Sequence, residues 1–92
     1  MVNPYEDVKA EDGSIIRTFS EGLNEEELVW HRDRNDREVA VVSGSGWQLQ
    51  MDNKLPTDLK KGKLYYINAM EYHRLIKGNG TLRLKIWEHK NG

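Results

Sequence analysis

Apolar and polar residues alternate over short stretches of this chain, and turn residues separate the stretches. The alternation is clearest at 47–52 and at 82–87, β-branched and aromatic residues dominate 14–19 and 64–67, and 72–76 is a further predicted strand. Short strands at this spacing, bounded by Gly, Asn, Asp and Pro, are typical of a sandwich or a small barrel. The pattern therefore predicts an all-β domain.

The stretch 28–33 also alternates, and it predicts a strand that enters a hairpin. A polar loop at 34–37 would lead into the apolar run 39–42. In that hairpin Asp33 and Glu38 face each other across the ladder, and His31 shares the face of Asp33. Facing carboxylates repel, which raises the pKa of at least one of them unless a cation lies nearby. A divalent metal that is also held by His31 would be such a cation.

The segment before this strand can be interpreted in two ways. Glu25, Glu26 and Glu27 could open a short helix with Asn24 as its cap. We expect instead that they form a solvated approach to the strand at 28–33. Residues 1–12 are polar and contain Pro4, so they are predicted to be an N-terminal tail or edge segment that precedes a barrel domain at 13–92.

Composition narrows the possible functions. The 92 residues contain no cysteine, which excludes disulfides, thiolate metal sites and cysteine nucleophiles. The net charge is -1 with both signs mixed along the chain, so no footprint for nucleic acid is present. No apolar run is long enough to cross a membrane, and no signal peptide is visible at the N-terminus. We expect a cytoplasmic protein that binds neither nucleic acid nor membrane.

Two groups of residues resemble the paired signature motifs of the cupin superfamily. His31, Asp33, Glu38 and Gly44 stand at the spacing of the first motif, and Gly62, Asn68, Met70 and His73 stand at the spacing of the second. Some identities differ from the family pattern. Asp33 replaces the second histidine, Asn68 and Met70 replace a proline and a glycine, and Glu25 stands where the first motif begins with glycine.

The resemblance implies a single-domain jelly-roll barrel of cupin type with a metal site. His31, Asp33, Glu38 and His73 fall on the family's ligand positions, and histidine with carboxylate suits one divalent ion of Fe, Mn, Ni or Zn. Two alternatives contain no metal. His31 could be a core histidine, or the carboxylates of Asp33 and Glu38 could pair with Arg34 or Arg37. The third histidine, His89, is expected on the surface.

Two functions from different classes remain open. The first is a metal-dependent enzyme, or an enzyme-like protein, that acts on a small polar molecule. Tyr72, Arg74 and Trp47 are then the candidate substrate-binding residues, although Trp47 also suits the core. The second is a non-catalytic module that binds a ligand or regulates a partner. An open cavity reaching the metal would favour the enzyme, whereas Trp47, Met51 and Met70 packed across it would close it.

The sequence also predicts self-association. The stretch 14–19 is apolar and β-branched and lacks a proline that would protect a sheet edge. Edge-to-edge pairing of this stretch in two copies would bury Ile15, Ile16 and Phe19. We therefore expect a homodimer.

Overall fold

The computed structural model describes residues 4–90 as eight strands joined by turns. The strands are β1 Glu6–Lys9, β2 Ile15–Phe19, β3 Asp36–Ser45, β4 Gln48–Met51, β5 Thr57–Asp58, β6 Leu64–Ile67, β7 His73–Ile76 and β8 Asn79–His89. The helical structure of the described residues is one 3₁₀ turn at Glu25–Glu27. The predicted all-β class is confirmed.

Two antiparallel sheets make up the domain. The larger sheet has five strands in the order β1-β2-β8-β3-β6, and the smaller has three in the order β5-β4-β7. Strands that follow each other in the sequence are not always neighbours in a sheet. For example, β8 lies between β2 and β3. Each sheet buries one face, and the two buried faces enclose the core.

The core follows from strand alternation. On β8, Leu82, Leu84 and Ile86 are buried, while Arg83 is exposed and Lys85 is partly exposed. The larger sheet also contributes Phe19, Val39, Val41 and Ile67, and the smaller sheet and its connections contribute Trp47, Leu49 and Leu59. Trp47 is fully buried, and its ring lies 6.0 Å from that of Phe19.

The predicted hairpin between 28–33 and 38–42 is wrong. Strand β3 begins at Asp36 and pairs with β6 and β8, so Asp33 and Glu38 do not face each other across a ladder. Glu25, Glu26 and Glu27 form a short 3₁₀ turn capped by Asn24, rather than the expected solvated approach to a strand. Asn24 Oδ1 accepts a hydrogen bond of 3.0 Å from the Glu26 amide and so caps the start of the turn.

The expectation that the stretch 14–19 forms a free sheet edge is also wrong, whereas the homodimer itself stays a prediction. Strand β2 lies between β1 and β8, so it presents no free edge. The edge is covered by β1, which belongs to the predicted N-terminal segment and pairs Val8 with Ile16. Residues 1–3 of that segment, and residues 91–92 of the predicted barrel domain, lie outside the described residues.

Among residues 4–90 there is no helix long and apolar enough to span a membrane.

Candidate metal centre

Two histidines are brought together by a short backbone contact between distant segments. The His31 amide donates to the His73 carbonyl at 3.0 Å, and the His73 amide donates to the His31 carbonyl at 2.9 Å. This reciprocal antiparallel bridge aims both side chains to the same face. The ring centroids are therefore only 4.4 Å apart.

Each histidine has one ring nitrogen fixed by a backbone carbonyl. Nδ1 of His31 lies 3.0 Å from the Val29 oxygen, and Nδ1 of His73 lies 2.9 Å from the Glu71 oxygen. A carbonyl only accepts, so both Nδ1 atoms must carry hydrogen. In the neutral rings the lone pair then sits on Nε2. Histidines that ligate metals almost always show this second contact.

Asp33 completes the group. Its Oδ2 lies 3.2 Å from His73 Nε2, and its Oδ1 lies 4.0 Å from His31 Nε2. One ligand atom from each of the three residues falls within 4.8 Å of the others. Ligand atoms around a metal at about 2.1 Å lie roughly 3 to 3.5 Å apart, so small side-chain adjustments would close the set on one ion. The backbone of Asp33 is fixed by the Met70 amide, which donates to its carbonyl at 2.7 Å.

The Asp33 carboxylate keeps its charge in this setting. Burial raises its pKa, but a hydrogen bond from His73, which requires a hydrogen on Nε2, and the positive charge of Arg37 together lower the pKa by more, so it lies below the ordinary value. The expected rise from repulsion by Glu38 is wrong for Asp33, because the two carboxylates lie in different parts of the fold. A charged Asp33 is the form that binds a metal.

Arg37 connects Asp33 to the larger sheet. Its Nε and Nη2 donate to Glu88 Oε1 at 3.0 and 2.6 Å, and its Nη1 lies 3.3 Å from Asp33 Oδ2. The ion pair weighed as an alternative to a metal is therefore present. The contact with Arg37 uses one of the about four lone-pair positions that the Asp33 carboxylate offers. Oδ2 is nonetheless buried without a hydrogen bond of good geometry among the described residues.

The three residues therefore fit a metal ion. Two imidazole lone pairs face a charged carboxylate, and without a cation between them these acceptors would repel. Protonation of the histidines is the other way to relieve this repulsion. The donor set alone, two imidazoles and one carboxylate, is the set that Fe(II) takes in the 2-His-1-carboxylate arrangement.

A cavity of about 260 Å³ opens beside this group, inside the barrel. His31, Asp33 and His73 form part of its wall, with Arg17, Arg37 and Glu27 as its other charged residues. Most of the remaining wall is apolar and comes from both sheets, at Phe19, Val39, Leu49, Leu75, Leu84 and Ile86. The lining does not include Trp47, Met51 or Met70, the three residues that could have closed the cavity.

Glu38, the fourth predicted ligand, is not brought to the centre. Val39 is buried in the core, so its neighbour Glu38 faces the outer side of β3 by strand alternation. There its Oε1 lies 3.1 Å from Nε2 of His89. The motif spacing places Glu38 on a strand near the site, but the parity of the strand turns it outward. His89 is half exposed, as expected.

The predicted substrate-binding residues lie outside the cavity. His73 and Leu75 face inward on β7, which turns Tyr72 and Arg74 outward. Arg74 stacks on the exposed Trp30 ring at 4.7 Å and donates to Gln50. Trp47 is a core residue whose Nε1 donates to the Gly80 carbonyl at 3.3 Å.

The polar residues that do line the cavity include two arginines, of which Arg17 was missed and Arg37 was considered only as an ion-pair partner. A signal for Arg17 exists in the sequence. It sits between Ile15 and Phe19 at the alternating positions of a β-branched strand, where an inward apolar residue would be expected.

Comparison with known proteins places the fold. No protein-family model matches the sequence, and no curated protein matches it. Solved structures do match. A chain from the crystal structures of the DMSP lyases RdDddP and RnDddQII aligns with a TM-score of 0.69 and 17% identity over 92% of this chain. This protein spans less than half of that chain, 46%.

Two further structures align over most of both chains. NMB1881 from Neisseria meningitidis gives a TM-score of 0.61 and 15% identity over 91% of this chain and 80% of its own. A "putative mannose-6-phosphate isomerase" from Ralstonia eutropha JMP134 gives 0.63 and 16% over 95% and 83%. At such identities the likeness concerns the fold. The chain therefore folds as an all-β, cupin-type jelly-roll barrel.

Proposed function

We propose that this protein is a metal-dependent cupin enzyme that acts on a small molecule in the barrel cavity. One divalent ion would be held by Nε2 of His31, Nε2 of His73 and the carboxylate of Asp33. The observation that carries the proposal is the convergence of two carbonyl-anchored imidazoles on a buried, charged carboxylate. Glu38 is not part of the proposed site, because it faces the opposite side of β3.

The donor set suits Fe, Mn, Ni or Zn. When bound, such an ion supplies a Lewis acid and open coordination positions for a substrate oxygen. The chain's own residues contribute the surroundings. Arg37 contacts Asp33, and most of the cavity wall is apolar. The substrate is therefore expected to have an apolar part as well as the polar group that the sequence had suggested.

The names of the neighbours agree with an enzyme. One carries the name of a lyase and another that of an isomerase. One observation favours the alternative, a non-catalytic ligand-binding or regulatory cupin. Tyr72, Arg74 and Trp47, the residues first considered for substrate contact, all lie away from the cavity, which leaves few side chains to move a proton.

Metal content tests the proposal. The protein would be purified without a histidine tag or chelator, and its Fe, Mn, Ni and Zn would be measured by elemental analysis. We expect close to one equivalent in total, or one equivalent taken up on titration of metal-free protein. Protein that is metal-free and binds none of the four ions would overturn the proposal.

We further propose that the protein is cytoplasmic. We also propose that it forms a homodimer in which the β1 strands of two copies pair at the edge of the larger sheet. Val8 on this strand is 67% exposed. Antiparallel pairing of two copies about Val8 would place Asp7 of one opposite Lys9 of the other, a favourable cross-strand pair. Sedimentation at micromolar concentration should show a dimer, and Val8→Lys should dissociate it by placing two lysines face to face. A wild-type monomer would refute this.

A further inference from the structure

Arg17 is a charged residue on the inward face of a core strand. Its neighbours in the same row of β2 are Ile15 and Phe19, and its side chain is 12% exposed and lines the cavity. A buried charge is costly unless it is paired or used. Strand formation alone therefore does not explain why a charged residue stands at position 17.

The guanidinium is held rigidly from one side. Asp7 pairs with Arg17 across β1 and β2, and accepts from Nε at 2.8 Å and from Nη2 at 2.9 Å. The Tyr5 ring stacks on the guanidinium at 3.7 Å. Burial lowers the pKa of Arg17, but Asp7, with smaller contributions from Tyr5 and Asp33, raises it by more in total, so the charge is retained.

Part of this guanidinium has no partner. An arginine offers five N–H donors, and Asp7 takes two of them. Within residues 4–90, the remaining donors of Arg17 make no hydrogen bond. The rest of the wall is mostly apolar, and its other charged and imidazole side chains are Glu27, Arg37 and the three residues of the candidate metal centre. A fixed, charged fork with free donors on such a wall is a site that a carboxylate can occupy.

Strand register places Arg17 and the candidate metal centre at different levels of the cavity. Arg17 lies opposite Leu84 on β8, whereas Arg37, which contacts Asp33, lies opposite Glu88. Four residues of strand separate these levels, which is about 13 Å along the backbone. The level between them is apolar and contains Ile86 and Val39.

We propose that the cavity binds a short organic acid, with its carboxylate on Arg17, its apolar body against Ile86 and Val39, and its other end at His31, Asp33 and His73. This inference rests on the proposed function, since it names the ligand class of the same site. The cavity of 260 Å³ is equivalent to about nine water volumes, which limits the ligand to a small acid.

Hexanoate is a suitable probe, with hexan-1-ol and hexylamine as controls of the same length. Binding to the full-length protein would be measured by calorimetric titration and followed by amide NMR shifts. We expect hexanoate to bind at least about tenfold more tightly than either control, because a hydrogen bond to a charged group is lost in both. Equal binding of hexanoate and hexan-1-ol, or no binding of hexanoate, would overturn the inference without any variant.

Variants separate ligand recognition from a purely structural role. Arg17→Met keeps the apolar stem and should weaken hexanoate binding about tenfold or more while leaving hexan-1-ol unchanged. Arg17→Lys should restore part of the affinity. Asp7→Asn removes the ion pair between Asp7 and Arg17 but keeps the positive charge of Arg17 that would bind the carboxylate, so hexanoate should still bind. If Asp7→Asn and Arg17→Met weaken hexanoate equally, Arg17 serves only to join β1 to β2.

Parallel metal measurements distinguish this inference from the proposed function. Hexanoate binding that depends on Arg17, in a protein that takes up no metal, would refute the proposed function and retain the ligand class. Normal metal uptake by a folded Arg17→Met variant whose hexanoate affinity is unchanged would refute the ligand class and retain the metal centre.

Discussion

Two histidine–carboxylate pairs of nearly equal length lie on opposite sides of the larger sheet. In the inner pair, His73 Nε2 is 3.2 Å from Asp33 Oδ2, with side chains 5% and 14% exposed. In the outer pair, His89 Nε2 is 3.1 Å from Glu38 Oε1, with side chains 50% and 35% exposed. Distance therefore does not separate a candidate metal centre from a surface ion pair.

What separates the two pairs is their surroundings. His73 has its Nδ1 fixed by a carbonyl, a second imidazole beside it, and a cavity at its side. Among the described residues, the group of side chains that could hold a metal ion is the inner one, His31, Asp33 and His73. Water screens the outer pair, so it contributes little to stability. The comparison teaches that anchoring and burial, rather than proximity, indicate where a metal would bind.

The largest expected difference between the pairs is in metal affinity. His73→Ala, His31→Ala and Asp33→Asn each remove a ligand and should abolish stoichiometric metal binding. Glu38→Gln and His89→Ala alter only the outer pair and should leave it unchanged. Metal content of the purified variants, with circular dichroism as a control for folding, decides between them. Loss of metal from the outer variants would mean that the strand parity assigned to β3 is wrong.

The second difference is in the stability of the metal-free protein. Asp33→Asn removes one of the two charged partners of Arg37, which keeps Glu88, and should lower the free energy of unfolding by about 1 to 3 kcal/mol at pH 7. Glu38→Gln should change it by less than about 0.5 kcal/mol. Urea unfolding measures both. A more stable Asp33→Asn variant would show that the carboxylate is repelled rather than paired.

The pH dependence of this effect has a definite sign. The pKa of Asp33 lies below its ordinary value in the folded state, so its contribution is present above the unfolded value of about 3.9. It is lost as the pH falls through the folded pKa. The gap between wild type and Asp33→Asn should therefore narrow below about pH 4. This pH dependence replaces the one that would follow from a pKa of Asp33 raised by repulsion from Glu38.

A smaller effect concerns the loop that holds the inner carboxylate. Met70 donates its amide to Asp33 and adopts φ 65°, a left-handed conformation that costs a non-glycine residue about 1 to 2 kcal/mol. Met70→Gly should relieve this strain and raise the free energy of unfolding by about 1 kcal/mol. Met70→Ala keeps the Cβ and serves as the control. Equal effects of the two substitutions in urea unfolding would show that the strain is not the cause.

The sequence predicted the fold well because strand alternation is a local signal. The strand at 64–67 and the inward row of β8 at Leu82, Leu84 and Ile86 follow directly from it. The motif spacing also selected His31, Asp33 and His73. Met70, which stands where the cupin motif has glycine, has a positive φ.

The errors arose where local pattern does not determine long-range pairing. The hairpin at 28–42 seemed natural, but β8, some forty residues later in the sequence, takes the place beside β3. With β3 paired in this way, Glu38 faces outward and Asp33 contacts Arg37. Likewise β1, in a segment with no clear period, covers β2, so the free edge could not be assigned from the chain alone.

The most direct test of the metal centre is anomalous diffraction from crystals of the protein grown with Mn(II) or Zn(II), recorded at the absorption edge of the ion. The account predicts one strong peak inside the barrel, about 2.0 to 2.2 Å from Nε2 of His31, Nε2 of His73 and a carboxylate oxygen of Asp33. A peak between Glu38 and His89, or no peak in the barrel at saturating metal, would contradict it.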